Sequence, residues 1–140
     1  MLYEDDVKNA VVGCLRRNGF GRPRVASLHQ HGPDIIAPTP NRRRELWIEA
    51  KGETSSDPGS NNYDNPFRSN QREDHLGKAL LKCAQWTSAN RKVCAGIAFP
   101  ADEGHVQLIS GIMPTLKKLR YTVFVVKQNG RVLTPLGLPQ

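Results

Sequence analysis

Cysteine is scarce in this chain. There are three, Cys14, Cys83 and Cys94, an odd number with no Cys-x-x-Cys pair. That argues against a disulfide framework or a cysteine-based zinc site and predicts a reducing, cytoplasmic setting. Four histidines do not repair the case for such a metal site. His29 and His31 alternate, but no cysteine stands near them to complete a cluster, so exposed or supporting roles fit them better. Long apolar runs are also missing; nothing approaches the roughly 20 residues that span a bilayer. The opening Met1-Leu2-Tyr3-Glu4-Asp5-Asp6 is acidic, the wrong sign for a signal peptide. Acidic residues are the minority overall, 13 against 20 Lys and Arg, for a net charge of +7.

What is present suits a single folded domain over residues 1–140, long enough to bury a real core. Hydrophobic residues make up 38% and the mean hydropathy is -0.52, which is polar but outside the disordered class. The pI of about 9.7 suits polyanionic partners, nucleic acid ahead of an anionic membrane surface, and equally suits a merely soluble basic protein.

Val7, Val11, Cys14 and Leu15 recur at three- and four-residue spacing and predict an amphipathic first helix. Asp5 and Asp6 suit its N-terminal end and Arg16 and Arg17 its C-terminal end, with Gly19 as a left-handed stop. Strand candidates follow at Arg24–His29, between Pro23 and Gly32, and at Asp34–Ala37, closed by Pro38 and Pro40. A polar turn, Asn41-Arg42-Arg43-Arg44, leads into Glu45–Lys51, and the three runs read as a meander. From Gly52 to about Asn70 the composition turns to Ser, Asp, Asn, Gly and Pro, predicting a flexible loop over 53–69. Asn70 with Glu73 forms a capping-box pattern for a second helix. Leu76, Leu80, Cys83 and Ala84 line one face of that helix, while Lys78 and Lys82 stand on another. Val93–Phe99 predicts a strand buried on both faces. Leu108, Ile109, Ile112, Leu116 and Leu119 predict a helix interrupted or kinked at Pro114. Tyr121–Val126 and Arg131–Leu133 flank Asn129-Gly130, a hairpin signal. The order α-β-β-β-α-β-α-β-β predicts an α/β fold, a central mixed β-sheet flanked by helices.

Gly32-Pro33-Asp34, followed by Glu49-Ala50-Lys51, sets two carboxylates and a lysine where neighbouring strands can unite them. Strand alternation puts Trp47, Glu49 and Lys51 on one face and Leu46, Ile48 and Ala50 on the other. Two carboxylates and a lysine are the chemical minimum for holding a divalent cation beside a phosphodiester and activating water. The Ala50 backbone carbonyl stands ready as a further oxygen.

On Pro33-Asp34 and Glu49-Ala50-Lys51, and on the order of elements, the chain resembles the PD-(D/E)xK nuclease superfamily. The wider phrases Gly32–Ile36 and Trp47–Glu53 look like its compact Mrr-like and Holliday-junction-resolvase-like members. The resemblance implies a restriction-endonuclease-like core and a Mg²⁺-dependent endonuclease hydrolysing phosphodiester bonds in DNA, with Mn²⁺ able to substitute. It implies Asp34 and Glu49 as metal ligands, Lys51 as the residue orienting or activating water, and Glu4 on the first helix as a further member. A glutamine or basic residue on the helix after the motif strand, Gln85 or Lys78 here, is a feature of many members.

Bland readings stand beside the sharp ones. Glu4 equally suits a helix N-terminus, and Glu53 either extends the acidic cluster or sits at a solvated strand end. Arg42, Arg43 and Arg44 either contact phosphates or solvate a hairpin tip. Arg68, Arg72, Lys78 and Lys82 either line a nucleic-acid groove or solubilise a helix. Lys117, Lys118 and Arg120 suit a helix C-terminus, and Trp47 suits core or sheet surface better than base stacking. The alternatives for function are a non-catalytic nucleic-acid-binding module or subunit with this fold, or a nuclease acting on RNA or branched DNA. A chain this small leaves specificity to DNA shape, a homodimer or a partner protein.

Overall fold

The computed structural model describes residues 1–26, 32–54, 59–60 and 63–140. Three helices flank one six-stranded sheet. Along the chain come α1 (Glu4–Arg17), β1 (Arg24–Val25), β2 (Ile35–Pro38), β3 (Glu45–Ala50) and α2 (Ser69–Ala89). They are followed by β4 (Val93–Pro100), α3 (Glu103–Lys118), β5 (Thr122–Val126) and β6 (Val132–Leu133). The α-β-β-β-α-β-α-β-β order expected from the sequence is the order observed.

The strands lie in sequence order, β1-β2-β3-β4-β5-β6. β1, β2 and β3 form the antiparallel meander, β4 and β5 join in parallel, and β6 closes antiparallel on β5. Both parallel crossovers step the same way across the sheet, so the right-handed rule puts α2 and α3 on one face and leaves α1 the other. The core is correspondingly split. Val7, Val11 and Leu15 of α1 pack on Ile35, Leu46, Ile48 and Phe124. Ala79 and Cys83 of α2 and Ile109 and Leu116 of α3 pack on Ile97, Phe99 and Val123. β4, between them, is buried throughout.

α1 ends as its sequence demands, with Gly19 at φ +81° and the Phe20 N–H on the Leu15 carbonyl. The hairpin turns at Gly130, φ +85°. Several expectations need correction. α2 starts one residue before Asn70: Arg68 is its N-cap, and the Arg68 N–H donates to Gln71 Oε1 at 2.8 Å, so Gln71 takes the place expected for Glu73. Ala84 is exposed; Ala79 and Cys83 are the buried positions on that helix, because its axis turns their side to the sheet. α3 runs through Pro114 without interruption, since the carbonyl that loses its partner belongs to Ser110, on the exposed side. The first strand is formed at Arg24–Val25 and is followed by Ala26, whose N–H donates to the Asp34 carbonyl at 2.8 Å; the rest of its expected span, 27–29, and His31 lie outside the described residues.

The expected loop over 53–69 is pinned at its start, and residues 55–58 and 61–62 lie outside the described residues. Glu53 is buried rather than at a solvated strand end. Its N–H donates to Leu2 O at 2.9 Å, its carbonyl accepts from Phe67 N at 2.9 Å, and its carboxylate accepts from Gln128 Nε2. Gly52 permits this close crossing. A Cβ there would stand 2.6 Å from Glu4 N, 2.9 Å from Tyr3 C and 3.1 Å from Leu2 O, all backbone atoms. Gly52→Ala therefore forces the start of α1 off the end of β3, and a denaturant melt should show a loss of about 2 kcal/mol.

Candidate functional site

The sheet ends position the chemistry. At the C-terminal end of β3 the Glu49 and Lys51 side chains share a face, as strand parity requires, with Lys51 Nζ 3.6 Å from Glu49 Oε2. Asp34 sits just before β2, its N–H on the Ile48 carbonyl at 2.9 Å. Its Oδ2 accepts from the Ala50 N–H at 2.8 Å, which fixes the carboxylate against the end of β3. Asp34 lies close enough to Glu49 for its charge to act on that carboxyl. The two carboxylates thus meet, as the hairpin between their strands allows.

Cations close around them. Lys82, on α2, donates to Glu49 Oε2 at 2.6 Å. Lys8, on α1, is 2% exposed and lies 3.1 Å from Glu4 Oε2, 3.9 Å from Asp5 Oδ1 and 3.7 Å from Asp34 Oδ1. Glu4 therefore reaches the cluster through Lys8. Burial pushes the Glu49 carboxyl above its ordinary range, and the Asp34 charge adds to the rise, against the pull of Lys82 and Lys51. For Lys8, burial disfavours the ammonium, but Glu4, Asp34 and Asp5 outweigh it and hold its pKa above the usual lysine value. Lys82 is raised first by its hydrogen bond to Glu49, again over the cost of burial.

No protein-family model matches this chain, and no curated protein does. The site is therefore weighed on its own geometry.

That geometry sorts the expected residues. Asp34, Glu49 and Lys51 come together, and Ala50 contributes its N–H to Asp34. Of the three polar residues expected on α2, Lys82 makes the contact with Glu49, while Lys78 and Gln85 are exposed on the same side of the helix. Arg68 is exposed at the helix start. Arg72 instead braces α2 against α3, its Nε 3.4 Å from Asp102 Oδ1. Arg42, Arg43 and Arg44 are exposed at the opposite end of β3, and five residues of strand put Arg44 roughly 16 Å from Glu49. Trp47 meets Trp86 edge-on at 5.8 Å, as a half-buried sheet residue.

Sequence reading missed Lys8, His75 and His105. Lys8 had one signal, its i,i+4 spacing from Glu4. Burial lowers the His75 pKa, and the nearby charges of Lys51 and Lys78 push the same way. His105 had the Asp102-x-x-His105 spacing of a capped helix start.

Among the described residues, no three His, Cys, Asp or Glu side chains gather as a metal cage. Two adjacent carboxylates nonetheless suit Mg²⁺, which keeps several waters and takes one or two protein carboxylates together with substrate phosphates. Their mutual repulsion, visible in Glu49, is what a bound cation relieves. Lys82→Met removes the contact that most lowers the Glu49 pKa. The acid limb of divalent-cation binding should therefore move to higher pH in that variant, as read by titration across pH.

Proposed function

We propose that this protein is a Mg²⁺-dependent phosphodiesterase acting on DNA. The observation that carries the reading is the meeting of Asp34 and Glu49 at adjacent strand ends with Lys51 beside them. The resemblance to PD-(D/E)xK nucleases in Pro33-Asp34 and Glu49-Ala50-Lys51, and the basic net charge of +7, support it further. Asp34 and Glu49 would hold the ion, with the Ala50 carbonyl as a further oxygen. When bound, the ion supplies Lewis acidity toward the phosphate and the attacking water. Lys51 orients the water and stabilises charge that develops on the phosphate. Lys8, 3.7 Å from Asp34 Oδ1, offsets the negative charge of the site, and exposed Lys78 and Arg68 attract the phosphate backbone without reading sequence. Specificity is left to DNA shape, a second copy of the chain or a partner protein.

One observation favours a second reading. Lys82 already occupies Glu49 Oε2 at 2.6 Å, as it would in a non-catalytic nucleic-acid-binding module. Cleavage of duplex, branched and RNA substrates in Mg²⁺, for wild type, Glu49→Ala and Lys51→Ala, separates the two. The nuclease reading expects wild-type cleavage of DNA and a loss of about 100-fold or more in each variant. Equal activity in all three sinks the mechanism. Steeply salt-dependent binding without cleavage favours the module, and preference for RNA or branched DNA revises the substrate.

A further inference from the structure

Behind Glu49, between β4, α2 and α3, lies a cavity of about 10 Å³, room for roughly one water molecule. Glu49, Lys51 and His105 line it together with apolar Leu76, Phe99 and Ile109. His105 is 4% exposed and held from several sides. Its backbone N–H donates to Asp102 Oδ1 at 3.0 Å, its Nδ1 bonds Asp102 Oδ2, and its ring stacks on Phe99 at 5.9 Å. Arg72 holds Asp102 from the other side. The ring cannot turn without breaking these contacts.

Two buried atoms of residues lining this space, Glu49 Oε1 and His105 Nε2, have no hydrogen-bond partner among the described residues. Buried polar atoms are rarely left so. With Nδ1 engaged by the Asp102 carboxylate, Nε2 is the ring nitrogen left for another partner, and Glu49 Oε1 is likewise left open. A water, which both donates and accepts, can bond each of them, and the cavity fits one.

We infer that a water bridging Glu49 Oε1 and His105 Nε2 makes His105 a positioning residue for Glu49, leaving Oε2 facing the cation site. The inference rests on the proposed cation-binding role of Glu49. Partners behind a metal ligand commonly carry 10- to 100-fold of its affinity.

Titration of the full chain with Mn²⁺ alone, by calorimetry, tests it on wild type, H105L and H105Q, with melting temperatures recorded in parallel. H105L leaves Oε1 without its link and should weaken Mn²⁺ about tenfold or more. H105Q, whose amide oxygen accepts from the same water, should recover most of the affinity. Wild-type affinity in H105L overturns the inference and leaves the cation site standing. Affinity lost equally in H105L and H105Q, in step with their melting temperatures, makes the role structural and also overturns it. Absence of Mn²⁺ binding by the wild type overturns both readings together. If H105L does not fold, D102N carries the test: it keeps the helix cap but loosens the ring, so affinity should fall, and wild-type affinity there counts against the inference.

Discussion

At pH 8, Glu49→Gln should melt at a higher temperature than the wild type while losing divalent-cation binding. Glu49 is 2% exposed, and burial has raised its carboxyl pKa above the ordinary 4.5. A carboxyl raised in the folded state stabilises the fold while protonated, below the unfolded value. That contribution is lost as pH rises through the folded value. At pH 8 the ionised carboxylate is thus a cost. Gln cannot ionise and keeps an oxygen for Lys82, while Lys51, partly exposed, is free to hydrate. A gain of about 1 kcal/mol follows, typical of relieving a strained functional site. Thermal melts at the two ends of the range test this: the advantage of Glu49→Gln should grow from pH 4 to pH 8. An advantage that shrinks over that range would show that Glu49 stabilises the fold as an anion.

Lys8→Met should behave in the opposite way. Lys8 stands between Glu4, Asp5 and Asp34 with its side chain out of water. Its folded pKa is raised, so its contribution is present below the unfolded lysine value and disappears only as pH climbs through the folded one. Methionine fills the space of the stem but leaves Asp34 and Glu49 facing each other with less compensating charge. The loss should be about 2 kcal/mol, less than the roughly 3–5 of a fully buried pair, because Glu4 and Asp5 reach water. Denaturant melts should show that deficit nearly constant from pH 6 to pH 9. A Lys8→Met protein as stable as wild type would mean that the lysine serves no electrostatic purpose at the site.

The contrast between these two residues also shows where sequence reading reached and where it stopped. Strand parity in Glu45–Lys51 is a local property, so Glu49 and Lys51 on one face, and Leu46 and Ile48 on the other, were legible from alternation alone. Gly19 and Asn129-Gly130 likewise punctuate the chain by backbone geometry that few other residues tolerate. The fate of a lysine is not local. Lys8 is buried because the start of α1 lies against the Asp34 end of β2, and Lys82 reaches Glu49 because α2 packs over the opposite face of the sheet. Apart from the i,i+4 spacing of Lys8 from Glu4, nothing in either segment distinguishes them from the solvated Lys78. His105 was hidden for the same reason: its partners Asp102 and Phe99 are near in sequence, but the Glu49 oxygen across the cavity comes from another strand. Glu53 misled in the other direction. A polar, loop-like composition suggested solvent, whereas bonds to Leu2, Phe67 and Gln128 draw it inside.

The central claim is that Asp34 and Glu49 share one divalent cation. Isothermal titration of Mg²⁺ into the wild-type chain, and into Asp34→Asn and Glu49→Gln, measures this without requiring a substrate. The account predicts one site per chain in the wild type and no measurable binding in either variant. A wild type that takes up no Mg²⁺, or variants that bind it as the wild type does, would contradict it.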